Sequence, residues 1–95
     1  MKVYAINYTL NNKPAASYEI LADKIRSLSG SYLHCLDSYW LVVHNGGAAA
    51  IFDALASVMK QDDRLMVSEI GPDYKAFLPA SALDWIQQTM GGQRL

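Results

Sequence analysis

Apart from the carboxylates, the residue types that could hold a transition metal or act as a nucleophile are His34, Cys35 and His44. His34 and Cys35 are neighbours in a predicted strand, so their side chains point to opposite faces of a sheet. A tight turn at Asp37-Ser38 would place His34 opposite Leu41, several residues away from His44. This spacing matches no zinc pattern. We therefore interpret all three as structural and predict neither a metal site nor a Cys-His catalytic pair.

Asn45-Gly46-Gly47 precedes a predicted helix and could present backbone N–H groups to an anion. The segment lacks the Lys-Ser/Thr of a phosphate loop and the third glycine of a dinucleotide fingerprint, which favours a plain strand-to-helix turn. Aromatic side chains on an open sheet face could stack bases, but no Lys/Arg-Gly-aromatic motif accompanies them here. Packing or dimerisation is the better interpretation. The candidate binding or interface residues are Tyr4, Asn7, Tyr8, Trp40 and Trp85.

The charge balance argues against a general attraction to nucleic acid. The chain has 8 basic and 9 acidic residues, and its pI is about 6.0. There is no overall positive field to draw in a polyanion, although local patches remain possible. Hydrophobic residues make up 52% and charged residues only 18%. This surplus of apolar surface favours a homo-oligomer over a monomer.

The cysteine content, the apolar runs and the length of the chain bear on its cellular compartment and on its number of domains. The single cysteine cannot form an internal disulfide, and no leader opens the chain, so we expect a cytoplasmic protein. No apolar run approaches the roughly 20 residues of a membrane-spanning helix, so we expect no membrane segment. Residues 1–95 are interpreted as one domain.

Hydrophobic periodicity predicts the order β-α-β-β-α-β followed by a short C-terminal helix. The predicted strands cover 2–9, 33–36, 39–43 and 64–70. The predicted helices cover about 17–29, 48–60 and 79–90, the last lying in the 72–95 extension and ended by Gly91-Gly92. This order is typical of the α+β, ferredoxin-like fold, in which an antiparallel four-stranded sheet carries two helices on one face.

The first and third predicted strands are apolar on both faces. In the third, Trp40 and Val42 alternate with Leu41 and Val43, and the first strand follows the same pattern. A sheet with one wet face would not show this pattern. Since two helices cover only one side, the other side must be covered by the C-terminal extension, by a second copy, or by both. We therefore expect a homodimer, and the 72–95 extension is a candidate for its interface.

Three segments, 3–10, 36–42 and 63–67, together resemble a family of small, mostly uncharacterised bacterial proteins, some of them labelled SinR family. That family is related to the CRISPR-associated Cas2-type and the virulence-associated VapD-type proteins. The resemblance covers most of the chain through the fourth strand. It implies a ferredoxin-like subunit that is usually dimeric.

In the nuclease members of that wider group, the first strand ends in Tyr-Asp-apolar, and the Asp of each subunit helps to hold a divalent metal. The matching triplet here is Tyr8-Thr9-Leu10, and Asn7 and Asn11 nearby are neutral too. Mg²⁺ requires hard, charged oxygen ligands, which Thr9 does not supply. We therefore expect a degenerate, non-catalytic binding or scaffold module without a cofactor. The alternative is a ribonuclease or deoxyribonuclease that depends on Mg²⁺ or Mn²⁺ and uses other carboxylates.

Overall fold

The computed structural model of the protein describes residues 2–91. Within that range four strands and three helices follow one another along the chain. Their bounds are β1 Lys2–Thr9, α1 Ala15–Leu28, β2 Tyr32–Leu36, β3 Tyr39–His44, α2 Gly47–Ala56, β4 Arg64–Glu69 and α3 Ala80–Gly91. The predicted helix stop at Gly91-Gly92 lies partly outside the described residues.

The four strands form one antiparallel sheet in the order β2-β3-β1-β4. Helix α1 joins β1 to β2, with β3 lying between these two strands. Helix α2 joins β3 to β4, with β1 lying between them. The predicted α+β class, the antiparallel sheet and the additional C-terminal helix are confirmed, and the arrangement is compatible with a ferredoxin-like fold.

Helices α1 and α2 pack on the same face of the sheet, which we call the helix face. Alternating side chains of the two central strands point to it, because successive residues of a strand face opposite sides. The buried members of this core are Tyr4, Ile6, Tyr8, Leu10, Leu21, Ala22, Ile25, Trp40, Val42, Ile51 and Leu55. Of the two alternating pairs in β3, the pair Trp40 and Val42 therefore faces the helices.

The opposite face of the sheet is covered in part by α3. Val3, Ala5 and Leu41 are buried there against Ile86 and Met90 of the helix. The C-terminal extension thus covers much of the apolar surface that α1 and α2 leave bare. This explains why the central strands are apolar on both sides.

The register of the β2–β3 hairpin differs from the predicted one. Leu36 pairs with Tyr39 across the turn, but His34 pairs with Trp40 instead of Leu41. The reason is a bulge between His34 and Leu36, where β2 contains one residue more than β3 opposite it. Sequence alternation alone does not mark such a bulge.

Helix α2 begins in the glycine pair, with Gly46 as its N-cap residue and Gly47 as its first residue. The backbone N–H of Gly46 donates to Nδ1 of His44 over 2.9 Å, and a Cβ at Gly46 would lie 2.8 Å from Cε1 of the same imidazole. Gly47 has a φ of +88°, a conformation that favours glycine. The helix ends at Ala56, earlier than predicted, because Val58 and Met59 continue with i to i−3 bonds.

A polar cluster joins the β1–α1 and α2–β4 loops. The Asp63 carboxylate accepts hydrogen bonds from the backbone N–H groups of Asn11 and Lys60, at 3.1 and 2.9 Å. Lys13 Nζ lies 3.2 Å from Asp63 and 2.9 Å from Asp62. These contacts hold the two loops together at the end of the sheet where β1 finishes. Among the described helices, none is long and apolar enough to cross a membrane.

Candidate functional site

A shallow groove of about 600 Å³ lies beside the end of β1, and we call it the Thr9 groove. Thr9 and Asn7 alternate with the buried Tyr8, so they point away from the helix face. Thr9 pairs with Arg64 across β4 and Asn7 pairs with Met66, and such cross-strand partners share one face. The groove is lined by Asn7, Tyr8, Thr9, Leu36, Ser38, Tyr39, Arg64, Leu65 and Met66.

The lining of the Thr9 groove is neutral except for one cation. Arg64 is its charged residue, and no Asp or Glu is among the described residues that line it. Asn7, Thr9 and Ser38 add hydrogen-bonding groups. Across residues 2–91, no group of three or more His, Cys, Asp or Glu side chains could hold a metal ion. The groove therefore offers a ligand hydrogen-bonding groups, apolar contact and the Arg64 guanidinium.

Large apolar side chains are exposed around this groove. Leu36 and Met66 are 55% and 66% exposed, and Phe77, in the segment before α3, is fully exposed. Leu36 links them, because it lines both the Thr9 groove and the pocket next to it that Phe77 borders. Clustered exposure of this kind is typical of an interaction surface.

That adjoining pocket has a volume of about 330 Å³ and lies between the sheet and the segment that leads into α3. We call it the Cys35 pocket. Its lining residues are Cys35, Leu36, Tyr39, Leu41, Ile70, Tyr74, Lys75, Ala76, Phe77, Leu78, Ile86 and Met90. The Cys35 thiol donates to the Tyr39 carbonyl at 3.6 Å. Burial raises the pKa of Cys35 and also that of the Tyr39 phenol, so both groups are held in their neutral forms.

The structure places the sequence-predicted candidates in three different surroundings. Tyr4, Tyr8 and Trp40 are buried in the core of the helix face, where their rings pack within the single chain. Asn7 and Thr9 are exposed and meet in the groove. Trp85 is half-buried on α3, where it packs against the opposite face of the sheet.

His34 and His44 contact different parts of the fold and do not lie together in one site. The His34 ring stacks on Trp40, with the centroids 4.0 Å apart and the planes 8° from parallel. The Arg26 guanidinium lies 5.4 Å from the Trp40 ring. His44 accepts the Gly46 N–H at the start of α2. Both imidazoles thus have structural contacts within the chain.

Four residues of this surface were missed from the sequence: Leu36, Arg64, Met66 and Phe77. Arg64 and Met66 become groove residues only because β4 pairs with β1 in this register. Their alternation with Leu65 and Val67 was visible, and it places them on the face away from the helices. The alternation alone did not indicate that this end of the sheet face is left uncovered.

Comparison with known proteins assigns no family. No protein-family model matches the chain, and no curated protein matches its sequence. The function is therefore inferred from the fold and from the exposed surface around the Thr9 groove.

Proposed function

We propose that this chain is a ferredoxin-like subunit of a homodimeric binding or scaffold module, degenerate relative to Cas2-type and VapD-type nucleases. The observation that carries the proposal is the exposed apolar surface around the Thr9 groove, formed by Leu36, Met66 and Phe77. Burying these side chains in a dimer would remove the surplus apolar surface from water. Each side chain would contribute up to about 1.5–3 kcal/mol if it became fully buried.

The topology supports the ferredoxin-like part of the proposal. In a split β-α-β unit, a helix connects two parallel strands that have a third, antiparallel strand between them. Here α1 and α2 each make such a connection, and the two units interleave through the central strands β1 and β3. Both helices pack on one face, which leaves the other available for the C-terminal extension and for a partner.

The charge around Thr9 supports a non-catalytic module. A divalent metal at this position would need carboxylate oxygens, yet Thr9 pairs directly with Arg64. A guanidinium beside the site would repel the metal instead of binding it. No acidic side chain in the described lining of the groove offsets this charge.

Opposite charges on either side of this surface support a second copy of the chain as its partner. Arg64 begins the edge strand β4, and Asp37 lies in the β2–β3 turn, with the end of β1 between them. A two-fold axis near Thr9 would bring Arg64 towards Asp37 of the partner subunit, twice in each dimer. Isologous interfaces require this kind of self-complementarity.

Light scattering coupled to size exclusion tests the dimer and its location. We expect the wild-type chain to have twice the mass of the monomer and Met66→Lys to have the mass of the monomer at the same concentration. Ile20→Lys is the matched control, because Ile20 is 54% exposed on α1, away from the groove, and it should stay dimeric. A monomeric wild type, or equal effects of the two substitutions, would contradict the proposal.

The non-catalytic part needs a separate test. Purified protein is incubated with short RNA and with duplex DNA, with and without Mg²⁺ or Mn²⁺, and the products are resolved on denaturing gels. We expect no metal-dependent cleavage. Cleavage that a single carboxylate substitution abolishes would establish the nuclease alternative and overturn the degenerate assignment.

A further inference from the structure

The Cys35 pocket is a second concave site, and its chemistry differs from that of the Thr9 groove. It lies deeper, between the sheet and the segment that leads into α3, and its described lining shares Leu36 and Tyr39 with that of the groove. Its volume of about 330 Å³ is within the usual range for small-molecule sites, roughly 300–1,000 Å³. The space equals that of about ten water molecules at roughly 30 Å³ each, so it suits a ligand of about ten non-hydrogen atoms.

The described walls of the pocket are mostly apolar, and the formal charge among them is positive. Leu41, Ile86 and Met90 form its inner part and are buried. Among the described residues that line the pocket, Lys75 is the one with a formal charge at neutral pH, and it is exposed at the rim. No acidic side chain is among the described residues that line the pocket. In the described lining, polar groups are thus sparse inside the pocket, and the Lys75 charge lies where the pocket meets water.

We propose that the Cys35 pocket binds a small apolar molecule with one negative charge, of the medium-chain carboxylate class. The hydrocarbon lies against Leu41, Ile86 and Met90, and the carboxylate remains in water beside the Lys75 ammonium. Burying methylene groups provides most of the affinity, and the ammonium selects the sign of the charge. Octanoate, with ten non-hydrogen atoms, is the matched probe, and a ligand of this size binds with a dissociation constant of about 0.1–1 mM.

Cys35 provides a direct readout of occupancy, because its thiol lines the pocket. Its rate of alkylation by N-ethylmaleimide is measured against increasing octanoate, octanol or octyltrimethylammonium. We expect octanoate to protect the thiol with saturation, octanol to protect it more weakly, and the cation to protect it least. The rate in urea-unfolded protein, where all three compounds should have no effect, controls for direct reaction with the reagent.

Three variants test which part of the pocket is responsible. Lys75→Gln should weaken octanoate binding about two- to fivefold, the range of an exposed ion pair, and leave octanol unchanged. Ala76→Trp should fill the pocket and weaken octanoate and octanol alike, with circular dichroism melts to show that the variant is folded. Lys60→Gln, at an exposed lysine outside the described lining of the pocket, should change neither.

The proposed ligand site does not depend on the proposed dimer. Tests on the same protein samples can distinguish failure of one proposal from failure of the other. The protection series is repeated with the Met66→Lys variant, because a partner subunit on Leu36 and Phe77 could cover the mouth of the pocket. Saturable protection in either protein supports the site, whatever mass light scattering gives. Absence of protection in both proteins, or equal protection by the anion and the cation, would overturn the proposal.

Discussion

The indole N–H of Trp40 donates a hydrogen bond of 3.1 Å to the phenol oxygen of Tyr8, and both side chains are buried. The backbone N–H of Tyr8 donates to the carbonyl of Ser38 at 3.2 Å. These two bonds join the central strands β1 and β3 at the end of the sheet where Thr9 lies. The floor of the Thr9 groove therefore depends on a side-chain contact on the helix face.

Removing the Tyr8 hydroxyl should destabilise the fold, because it leaves the buried Trp40 N–H without an acceptor. We expect Tyr8→Phe to lower the free energy of unfolding by about 1–3 kcal/mol, measured by urea titration. Tyr4→Phe is the control: it lies on the same strand and face, and its hydroxyl makes no hydrogen bond among the described residues, so its effect should stay within about 0.5 kcal/mol. Equal losses in the two variants would show that the Tyr8–Trp40 bond is not what stabilises this end.

The Asp63 carboxylate should give the fold a dependence on acid pH. Its pKa is lowered from the ordinary value of 3.8, first by the hydrogen bond from the Lys60 N–H, and also by the Asn11 N–H and Lys13. Because the folded pKa is depressed, the stabilisation is present above pH 3.8 and is lost as the pH falls through the lower folded value.

The measurement for Asp63 is the melting temperature as a function of pH. Asp63→Asn should melt lower than wild type at pH 7, and the difference should shrink as the pH falls below about 4. Asp62→Asn is the matched control, since Asp62 also pairs with Lys13 but its side chain is 54% exposed. Its pH profile should follow that of wild type. A pH-independent difference for Asp63→Asn would mean that the carboxylate acts through shape and not through charge.

The order of elements could be predicted from the sequence because each element has its own periodicity. The alternation in β1 and β3, and the apolar stripes that contain Leu21 and Ile25 or Ile51 and Leu55, each specify a local structure. The two apolar faces of the central strands also predicted that something beyond α1 and α2 must cover the sheet. Ile86 and Met90 of α3 provide that cover.

The candidate site was less predictable, because it depends on pairing between distant segments. Trp40 has the same strand-favouring character whether it faces the helices or a partner, and only packing settles that it is buried. Arg64 comes next to Thr9 through the register of β4 on β1, which no local pattern encodes. The bulge before Leu36 likewise sets which residues of β2 line the groove. The amino-acid composition indicated a surplus of apolar surface but could not show where on the fold this surface lies.

If Arg64 and Asp37 of the partner subunit meet in the proposed dimer, charge reversal should weaken association and a double reversal should restore it. We expect Arg64→Asp or Asp37→Lys to raise the dimer dissociation constant about three- to tenfold, and the double variant to return most of that loss. Sedimentation equilibrium at two salt concentrations measures this, with smaller effects at high salt. Additive weakening in the double variant would contradict the two-fold arrangement and leave the apolar part of the interface to be tested separately.

Placing a carboxylate at the end of β1 tests whether Thr9 occupies the position of the aspartate in the nucleases that the sequence resembles. Thr9→Asp alone would place the new charge opposite Arg64, where an ion pair competes with metal binding. We therefore expect the double variant Thr9→Asp/Arg64→Gln to bind Mn²⁺ roughly tenfold more tightly than wild type, because carboxylates from two subunits would converge in the proposed dimer. Isothermal titration calorimetry measures the affinity, and Thr9→Asn/Arg64→Gln supplies the same shape without the charge. No added Mn²⁺ affinity in a double variant that is still dimeric would mean that Thr9 does not occupy the metal-binding position, because the charge and the second subunit would both be present.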